Sequence, residues 1–145
     1  MKKILVLTDG SKNSMECLSV AADYVKDREC LIYVMTVVPF YGDIDLELSP
    51  HMRDKIAQTS NTLGEEILNS AKKILHDKGV KNVETVLSVS ASISKDILEF
   101  AENNKIDIIF IGGSGTGTAS KMLLGSVSYR VVNQSNTSVF VVKTP

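Results

Sequence analysis

Four short apolar runs alternate with segments of helical periodicity, and this alternation limits the possible folds of the chain more than any other feature. The runs cover residues 4–7, 31–38, 106–111 and 139–142. The run at residues 4–7 is continuously apolar, which is typical of a strand buried on both faces of a sheet, and the other three runs are interpreted in the same way. A fifth segment, residues 83–89, alternates apolar and polar side chains, which predicts a half-exposed edge strand. The chain is therefore expected to contain five strands.

The segments between these strands carry helix signals. Ser11 is placed to cap a first helix, whose apolar residues recur every three or four positions. A second helix is predicted over about residues 51–78, with Gly79 as its stop and Gly64 as a weak point, because glycine disfavours helix. The apolar faces expected to pack on the core are Met15, Leu18, Ala22 and Val25 in the first helix, and Met52, Ile56, Leu63, Ile67, Ala71 and Ile74 in the second.

Two further helices complete the pattern and allow a fold to be predicted. One is expected to start near Ser92 or Ser94 and to end at Asn103, and the other covers residues 126–134. Right-handed crossovers in such a series produce a Rossmann-like α/β fold, with a five-stranded parallel sheet and helices on both faces. In the strand order 3-2-1-4-5, the ends of the first and fourth strands are neighbours. Ligands of these sheets bind there, outside the carboxyl ends of the strands.

Length and charge narrow the classes of function. With 145 residues, of which 43% are hydrophobic, the chain is expected to form one domain over residues 1–145. Its net charge of −1 provides no broad positive field, so we expect no nucleic acid and no membrane as partners. The first apolar run is far shorter than a signal-peptide core or a membrane span, which favours a cytoplasmic location. Cys17 and Cys30 match neither a metal knuckle nor a redox pair and are interpreted as ordinary thiols.

A glycine-rich stretch, GGSGTGTASKMLLGS at residues 112–126, joins the fourth predicted strand to the fourth helix. Glycine tolerates positive φ and has no Cβ, so backbone N–H groups in such a turn can converge on an anion. The P-loop template fails because Lys121 lies outside a Gly-Lys-Ser/Thr context. The dinucleotide fingerprint fails at Thr118, and the hydrolase nucleophile turn fails at Thr116. The stretch predicts a phosphate site of another kind, although a glycine pair alone would serve equally to turn the chain.

The spacing G-x2-G-x9-G-S over residues 112–126 resembles the signature of nucleotide-binding members of the universal stress protein family. The opening ILVLTDGS at residues 4–11 and the closing VFVV at residues 139–142 are similar to that family as well, so the resemblance covers the whole chain. It implies a Rossmann-like fold of the adenine nucleotide alpha hydrolase type and an ATP-binding regulatory protein of the stress response. The sequence departs from the usual family pattern at Leu7, where proline is common, at Thr36, where histidine is common, and at Ala91, where glycine is common.

Candidate binding residues come from two strand ends and from the glycine stretch. Gly112 and Gly115 let the backbone run beneath a ribose and its first phosphates, and Gly125 opens a helix whose N–H groups face the outer phosphates. Asp9 is placed to accept a hydrogen bond from a ribose hydroxyl or an adenine amino group, and it would equally serve to cap the first helix. The resemblance implies contacts of Asp9 and of the Val37 backbone with the nucleotide. The full predicted set is Thr8, Asp9, Val37, Ile111, Gly112, Gly113, Gly115, Gly125, Ser126, Val127 and Ser128.

The expected ligand is ATP accompanied by a divalent cation. Lys121 is the only lysine near the glycine stretch, so Mg²⁺ or Mn²⁺ is expected to neutralise the phosphates, with no metal site formed by the protein itself. No residue at a suitable spacing would orient a water or act as an arginine finger, so we assign no catalytic residue and expect slow turnover. His51 and His76 have no serine or cysteine partner nearby in the sequence.

Three functions remain open from the sequence. The first is a dimeric, nucleotide-dependent regulatory module that acts on an unknown protein partner. The second is a slow ATPase or self-phosphorylating protein that uses Ser114, Thr116 or Ser120. The third is a dimeric interaction module that binds no nucleotide. A homodimer through strand residues 138–142 is implied by the family resemblance, and a β-branched edge strand is a template for pairing.

Overall fold

The computed structural model describes residues 1–39, 49–113 and 125–144, and over these residues strands and helices alternate as expected. The strands are β1 (Lys2–Leu7), β2 (Cys30–Pro39), β3 (Val83–Ser90), β4 (Ile108–Gly112) and β5 (Ser138–Val142). The helices are α1 (Lys12–Val25), α2 (Pro50–Asp77), α3 (Ile93–Asn103) and α4 (Ser126–Gln134). Each element has the predicted type, and the bounds differ from the expected ones by at most two residues.

The strands form one parallel sheet in the order β3-β2-β1-β4-β5, which confirms the predicted α/β topology. α1 and α2 pack on one face of this sheet, and α3 and α4 pack on the other. The chain therefore leaves β1 and β4 toward opposite faces. Because these two strands are neighbours, their carboxyl ends enclose the crevice in which α/β proteins bind ligands.

Both faces of the central strands are buried, which explains their continuous apolar sequence. Successive side chains of a strand point to opposite faces. In β1, Ile4 and Val6 pack under α1 and α2, and Leu5 packs under α3 and α4. All three side chains are completely inaccessible to solvent. A polar residue in this run would have to be buried on one face or the other.

The predicted apolar face of α2 is only partly correct. Ala71 is buried as expected, but Met52 and Leu63 are 51% and 54% exposed. The buried side chains of this helix also include Leu68 and Leu75. The helix has 28 residues, which corresponds to about 42 Å at 1.5 Å per residue. Buried positions begin only in its second half, so Met52 and Leu63 follow the apolar pattern but remain exposed.

Gly64 has a role that the sequence did not indicate. It was expected to weaken α2, but the structure places it against side chains of the sheet. A Cβ at this position would lie 2.6 Å from Leu87 Cδ1 and 3.0 Å from Val38 Cγ1. Glycine therefore allows α2 to approach β2 and β3 closely.

The two helix-end predictions are confirmed. Ser11 is the N-cap of α1, and its hydroxyl oxygen accepts a hydrogen bond from the Ser14 N–H at 3.3 Å. Gly79 follows α2 with a φ of +90°, and its N–H donates to the His76 carbonyl at 2.9 Å. In the part of the chain that the structure describes, no helix is both long enough and apolar enough to cross a membrane.

Candidate functional site

A cavity of about 310 Å³ opens at the carboxyl ends of β1, β2 and β4, between α3 and the first turns of α1 and α4. The end formed by β2 and α3 is lined by apolar side chains, whereas the turn after β1, the first turn of α1 and the start of α4 contribute hydroxyl groups, a carboxylate and a helix start. The described lining residues are Leu7, Thr8, Asp9, Ser11, Ser14, Met35, Val37, Ile93, Ile97, Ile111, Gly112, Gly125, Ser126, Val127 and Ser128. The cavity thus lies at the crevice that the strand order predicts.

Nine of the eleven residues predicted from the sequence line this cavity. Gly113 does not; it is buried beside β5, and its N–H donates to the Val142 carbonyl at 2.8 Å. A Cβ on Gly113 would lie 3.2 Å from the Lys143 Cγ, so close packing is one reason for glycine there. Gly115, Lys121 and the three residues proposed for self-phosphorylation lie outside the described residues. That the nine lining residues bind a nucleotide remains a prediction.

One of the two Asp9 carboxylate oxygens accepts a hydrogen bond within the turn after β1. The Ser11 N–H donates to Asp9 Oδ1 at 2.8 Å, so Asp9 does support the start of α1, as the alternative interpretation held. The turn depends on Gly10, whose φ of +81° is unfavourable for other residues. The side chain of Asp9 is nevertheless exposed and lines the cavity, so its second oxygen can accept a hydrogen bond from a ligand hydroxyl.

Thr8 and Ser14 form a buried hydroxyl pair at the base of the cavity. Ser14 Oγ donates its single hydrogen to the Ser11 carbonyl at 2.8 Å. In the 2.9 Å contact between the two hydroxyls, Thr8 must therefore be the donor. Thr8 Oγ1 also accepts the Gly10 N–H at 3.2 Å. Because both hydroxyl hydrogens are used internally, these residues hold the turn in place and are not free to donate to a ligand.

The start of α4 forms the polar wall opposite Asp9. Its N-cap is Gly125, which has no side chain to bond the N–H groups of the first turn, so these donors and the positive end of the helix dipole face outward. Gly125 is held in place by its own N–H, which donates to the Gly113 carbonyl at 2.7 Å. The Ser128 hydroxyl donates to the Gly112 carbonyl and so joins α4 to β4. Ser126 is exposed, and its hydroxyl points to no partner among the described residues.

The apolar wall includes residues that the sequence-based set missed. Leu7 and Met35 close the cavity at the sheet, while Ile93 and Ile97 of α3 close it from the side. Nothing in the local sequence indicated that α3 reaches the ligand crevice. The approach of α3 to this crevice follows from its packing on β2 and α4. Ser11 and Ser14, also missed, reach the cavity because they belong to the first turn of α1.

Among the described lining residues, Asp9 is the single ionisable group. Arg130 lies in the groove between α3 and α4, outside the cavity lining. His51 and His76 are exposed on α2. No group of three or more acidic, histidine or cysteine side chains suited to a metal ion occurs in residues 1–39, 49–113 and 125–144. A cation at this site would therefore be held chiefly by the ligand's own oxygens, with Asp9 as the available carboxylate.

Comparisons with known proteins agree with the observed fold. A family model described as "Universal stress protein family" matches residues 1–143. Universal stress protein MJ0531 of Methanocaldococcus jannaschii is 36% identical over 148 residues, which cover 99% of this chain and 83% of that protein. The solved structure of hypothetical protein MJ0577, determined for structure-based assignment of its biochemical function, has a TM-score of 0.86 and 26% identity, with 99% and 96% of the two chains covered. The universal stress protein of Archaeoglobus fulgidus in complex with dAMP has a TM-score of 0.69 and 24% identity, with 99% and 98% covered.

Proposed function

The chain belongs to the universal stress protein family, and from this premise we propose that its cavity binds an adenine nucleotide, with ATP as the physiological ligand. The observation that carries the proposal is the division of one cavity into an apolar end and an anion-attracting end at the start of α4. A relative of the same fold was solved with dAMP, which is consistent with this ligand class. Occupancy by nucleotide would then control the protein's affinity for a partner in the stress response.

The polarity of the cavity suggests one orientation for the ligand. The base occupies the apolar end near Val37, and the phosphates lie at the first turn of α4, where three backbone N–H groups and the Ser126 hydroxyl are available. Asp9 lies between them and accepts a hydrogen bond from the ribose. The reverse orientation would place phosphate charge against apolar side chains, which is unfavourable because the charge would lose its hydration without gaining donors.

The described lining supplies no cation to balance the phosphates, so we infer that ATP binds together with Mg²⁺ or Mn²⁺. Such an ion bridges phosphate oxygens and neutralises their charge. We also infer that hydrolysis is slow or absent. Asp9 is the only described lining group able to accept a proton, and we place it at the ribose, away from the terminal phosphate.

The proposal extends to a cytoplasmic protein that acts as one domain over residues 1–145 and forms a homodimer through β5. This strand is at the edge of the sheet, with Phe140 44% exposed. Phe140 also stacks on Phe110, with ring centroids 4.9 Å apart. An edge strand with an exposed aromatic residue is a surface that a second copy can cover.

Isothermal titration with ATP, with and without Mg²⁺, tests nucleotide binding directly. The informative variant is Ser126→Asp, because an acidic residue in the first turn of α4 favours the helix but repels phosphate. We expect unchanged or slightly higher thermal stability and at least a tenfold loss of affinity, roughly the effect of 1.4 kcal/mol. Ser70→Asp on the exposed surface of α2 is the matched control.

Two results would contradict the proposal. One is an absence of ATP binding by the wild-type protein at millimolar nucleotide, which would favour the interaction module without a nucleotide. The other is equal ATP affinity for Ser126→Asp and Ser70→Asp, which would show that the phosphates do not lie at α4. Phosphate release above background that Ser126→Asp abolishes would support the slow ATPase.

A further inference from the structure

Ile93 is the most exposed apolar side chain in the described lining of the cavity. Ile93 is the first residue of α3 and is 37% exposed, whereas Ile97, one turn later, is only 1% exposed. Both side chains line the cavity. Residues four apart lie on the same face of a helix, so the face that packs Ile97 into the core continues beyond the core at Ile93. The free surface of Ile93 is therefore directed along the cavity.

The position of this side chain is determined by contacts within the protein. Asp96, in the first turn of α3, accepts a hydrogen bond from the Ser88 hydroxyl of β3. Its N–H donates to the Ser92 carbonyl at 3.2 Å, which closes the first helical turn. Together with the buried Ile97, these contacts hold the start of α3 against the sheet. Ile93 is thus in place before any ligand binds.

The surroundings of Ile93 restrict what can cover it. The neighbouring lining residues from the sheet, Met35 and Val37, are apolar as well, and none of these three side chains carries a hydrogen-bonding nitrogen or oxygen. The polar lining groups belong to the turn after β1, to the first turn of α1 and to the start of α4. A flat ring with an apolar face fits this end of the cavity, while a phosphate or a sugar hydroxyl would lose its hydration there.

We propose that Ile93 is a ligand-contact residue that forms one wall of the base subsite. The base is held there through contact of its ring face with the side chain, and not through side-chain hydrogen bonds. A purine covers more of this wall than a pyrimidine does, so the wall favours purine nucleotides. This inference rests on the proposed function, since it assigns a contact within the same site.

Methyl NMR provides a direct test. In protein labelled at the isoleucine δ1 methyl groups, saturating ATP should move the Ile93 resonance upfield through the ring current of the base. The Ile4 methyl, buried under α1 and α2, serves as the reference and should not move. A change in protein stability alone would not produce a ring-current shift confined to Ile93.

A variant series measures the energetic role. Ile93→Leu should bind ATP within about twofold of wild type, whereas Ile93→Asn should bind about tenfold more weakly, because it removes apolar area from the wall. Val89→Asn is the matched control, since Val89 is 49% exposed on β3 but does not line the cavity. Thermal denaturation of each variant confirms that it is folded.

The possible outcomes distinguish a failure of this inference from a failure of the proposed nucleotide binding. If ATP binds and Ser126→Asp weakens binding, but the Ile93 methyl does not move and Ile93→Asn matches Val89→Asn, the base lies elsewhere and the inference is overturned. If wild-type protein binds no ATP, the proposed function itself fails. The proposed role of Ile93 is supported if the preference for purine nucleotides disappears in Ile93→Asn while Ile93→Leu retains its affinity for ATP.

Discussion

Substituting alanine for Gly10 tests how the turn beside the cavity is built. Gly10 has a φ of +81°, a left-handed conformation that costs other residues about 1–2 kcal/mol. A Cβ at this position would also lie 3.0 Å from Ile67 Cγ1 and 3.2 Å from Ile67 Cδ1. Optimal carbon contacts are about 3.5–4.0 Å, and a β-branched side chain has little freedom to turn away. Gly10→Ala therefore combines backbone strain with crowding.

Gly79→Ala is a control that has the backbone strain without the crowding. Gly79 has a φ of +90°, but a Cβ there would meet no atom within 4 Å. For Gly79→Ala we expect a net loss of about 1 kcal/mol, since the strain is partly offset by the reduced entropy of the unfolded chain. Gly10→Ala should lose about 2 kcal/mol, because overpacking against Ile67 adds at least about 1 kcal/mol. For a chain of this length, the melting temperature should fall by about 3 °C for Gly79→Ala and about 6 °C for Gly10→Ala.

Urea denaturation of both variants gives the required free energies of unfolding. The double variant Gly10→Ala/Ile67→Ala should recover the crowding term, which would appear as a coupling of about 1 kcal/mol in a double-mutant cycle. The explanation is refuted if Gly10→Ala is no more destabilising than Gly79→Ala, or if the cycle shows no coupling. Either result would mean that α2 accommodates the added methyl group with no loss in the free energy of unfolding.

Three further predictions concern the hydrogen bonding, ionisation and assembly of the protein. Thr36 is 3% exposed and its hydroxyl has no partner among the described residues. Thr36→Val removes this buried hydroxyl and should therefore raise the free energy of unfolding by about 1 kcal/mol. If urea titrations show destabilisation instead, the hydroxyl forms a hydrogen bond in the folded protein. Burial raises the pKa of Cys17 to about 12 from an ordinary value of 9.0, so the unfolded chain loses the thiol proton first and stability falls as the pH rises from 9 toward 12. Relative to Cys17→Ala, wild type should lose about 1.4 kcal/mol per pH unit in this range, and parallel pH profiles would contradict the assignment. Phe140→Lys should weaken the proposed dimer at least about tenfold in sedimentation velocity, because a charge replaces the exposed ring on β5, and an unchanged association constant would place the interface elsewhere.

Much of the fold could be predicted because its signals are local. The run at residues 4–7 is apolar throughout and residues 31–38 are apolar except at Thr36, as expected for strands covered on both faces, and the structure buries both sides of β1. Ser11 and Gly79 mark helix ends through their own conformational preferences. The two strand ends that form the candidate site were also predictable, because the alternation of strands and helices implies where a parallel sheet reverses direction.

The predictions from sequence were wrong or incomplete where segments that are distant in the sequence pack together. Met52 and Leu63 follow a helical apolar pattern, yet periodicity does not reveal how far the sheet extends beneath α2. Gly64 resembled a defect, although a Cβ there would collide with Leu87 of a strand 23 residues later in the sequence. Ile93 was absent from the expected site because only the packing of α3 on β2 brings it to the cavity.

The sequence by itself determined the types and order of the elements, the parallel topology and the glycine positions at the ligand edge, because each depends on the preferences of nearby residues. Tertiary structure decided which hydroxyls remain available and what forms the apolar wall. Thr8 and Ser14 bond to each other across six residues, Ser128 donates to Gly112 across sixteen, and α3 crosses the sheet to place Ile93 beside the cavity. Such contacts join residues that are separated in sequence, and only the folded chain specifies their distances.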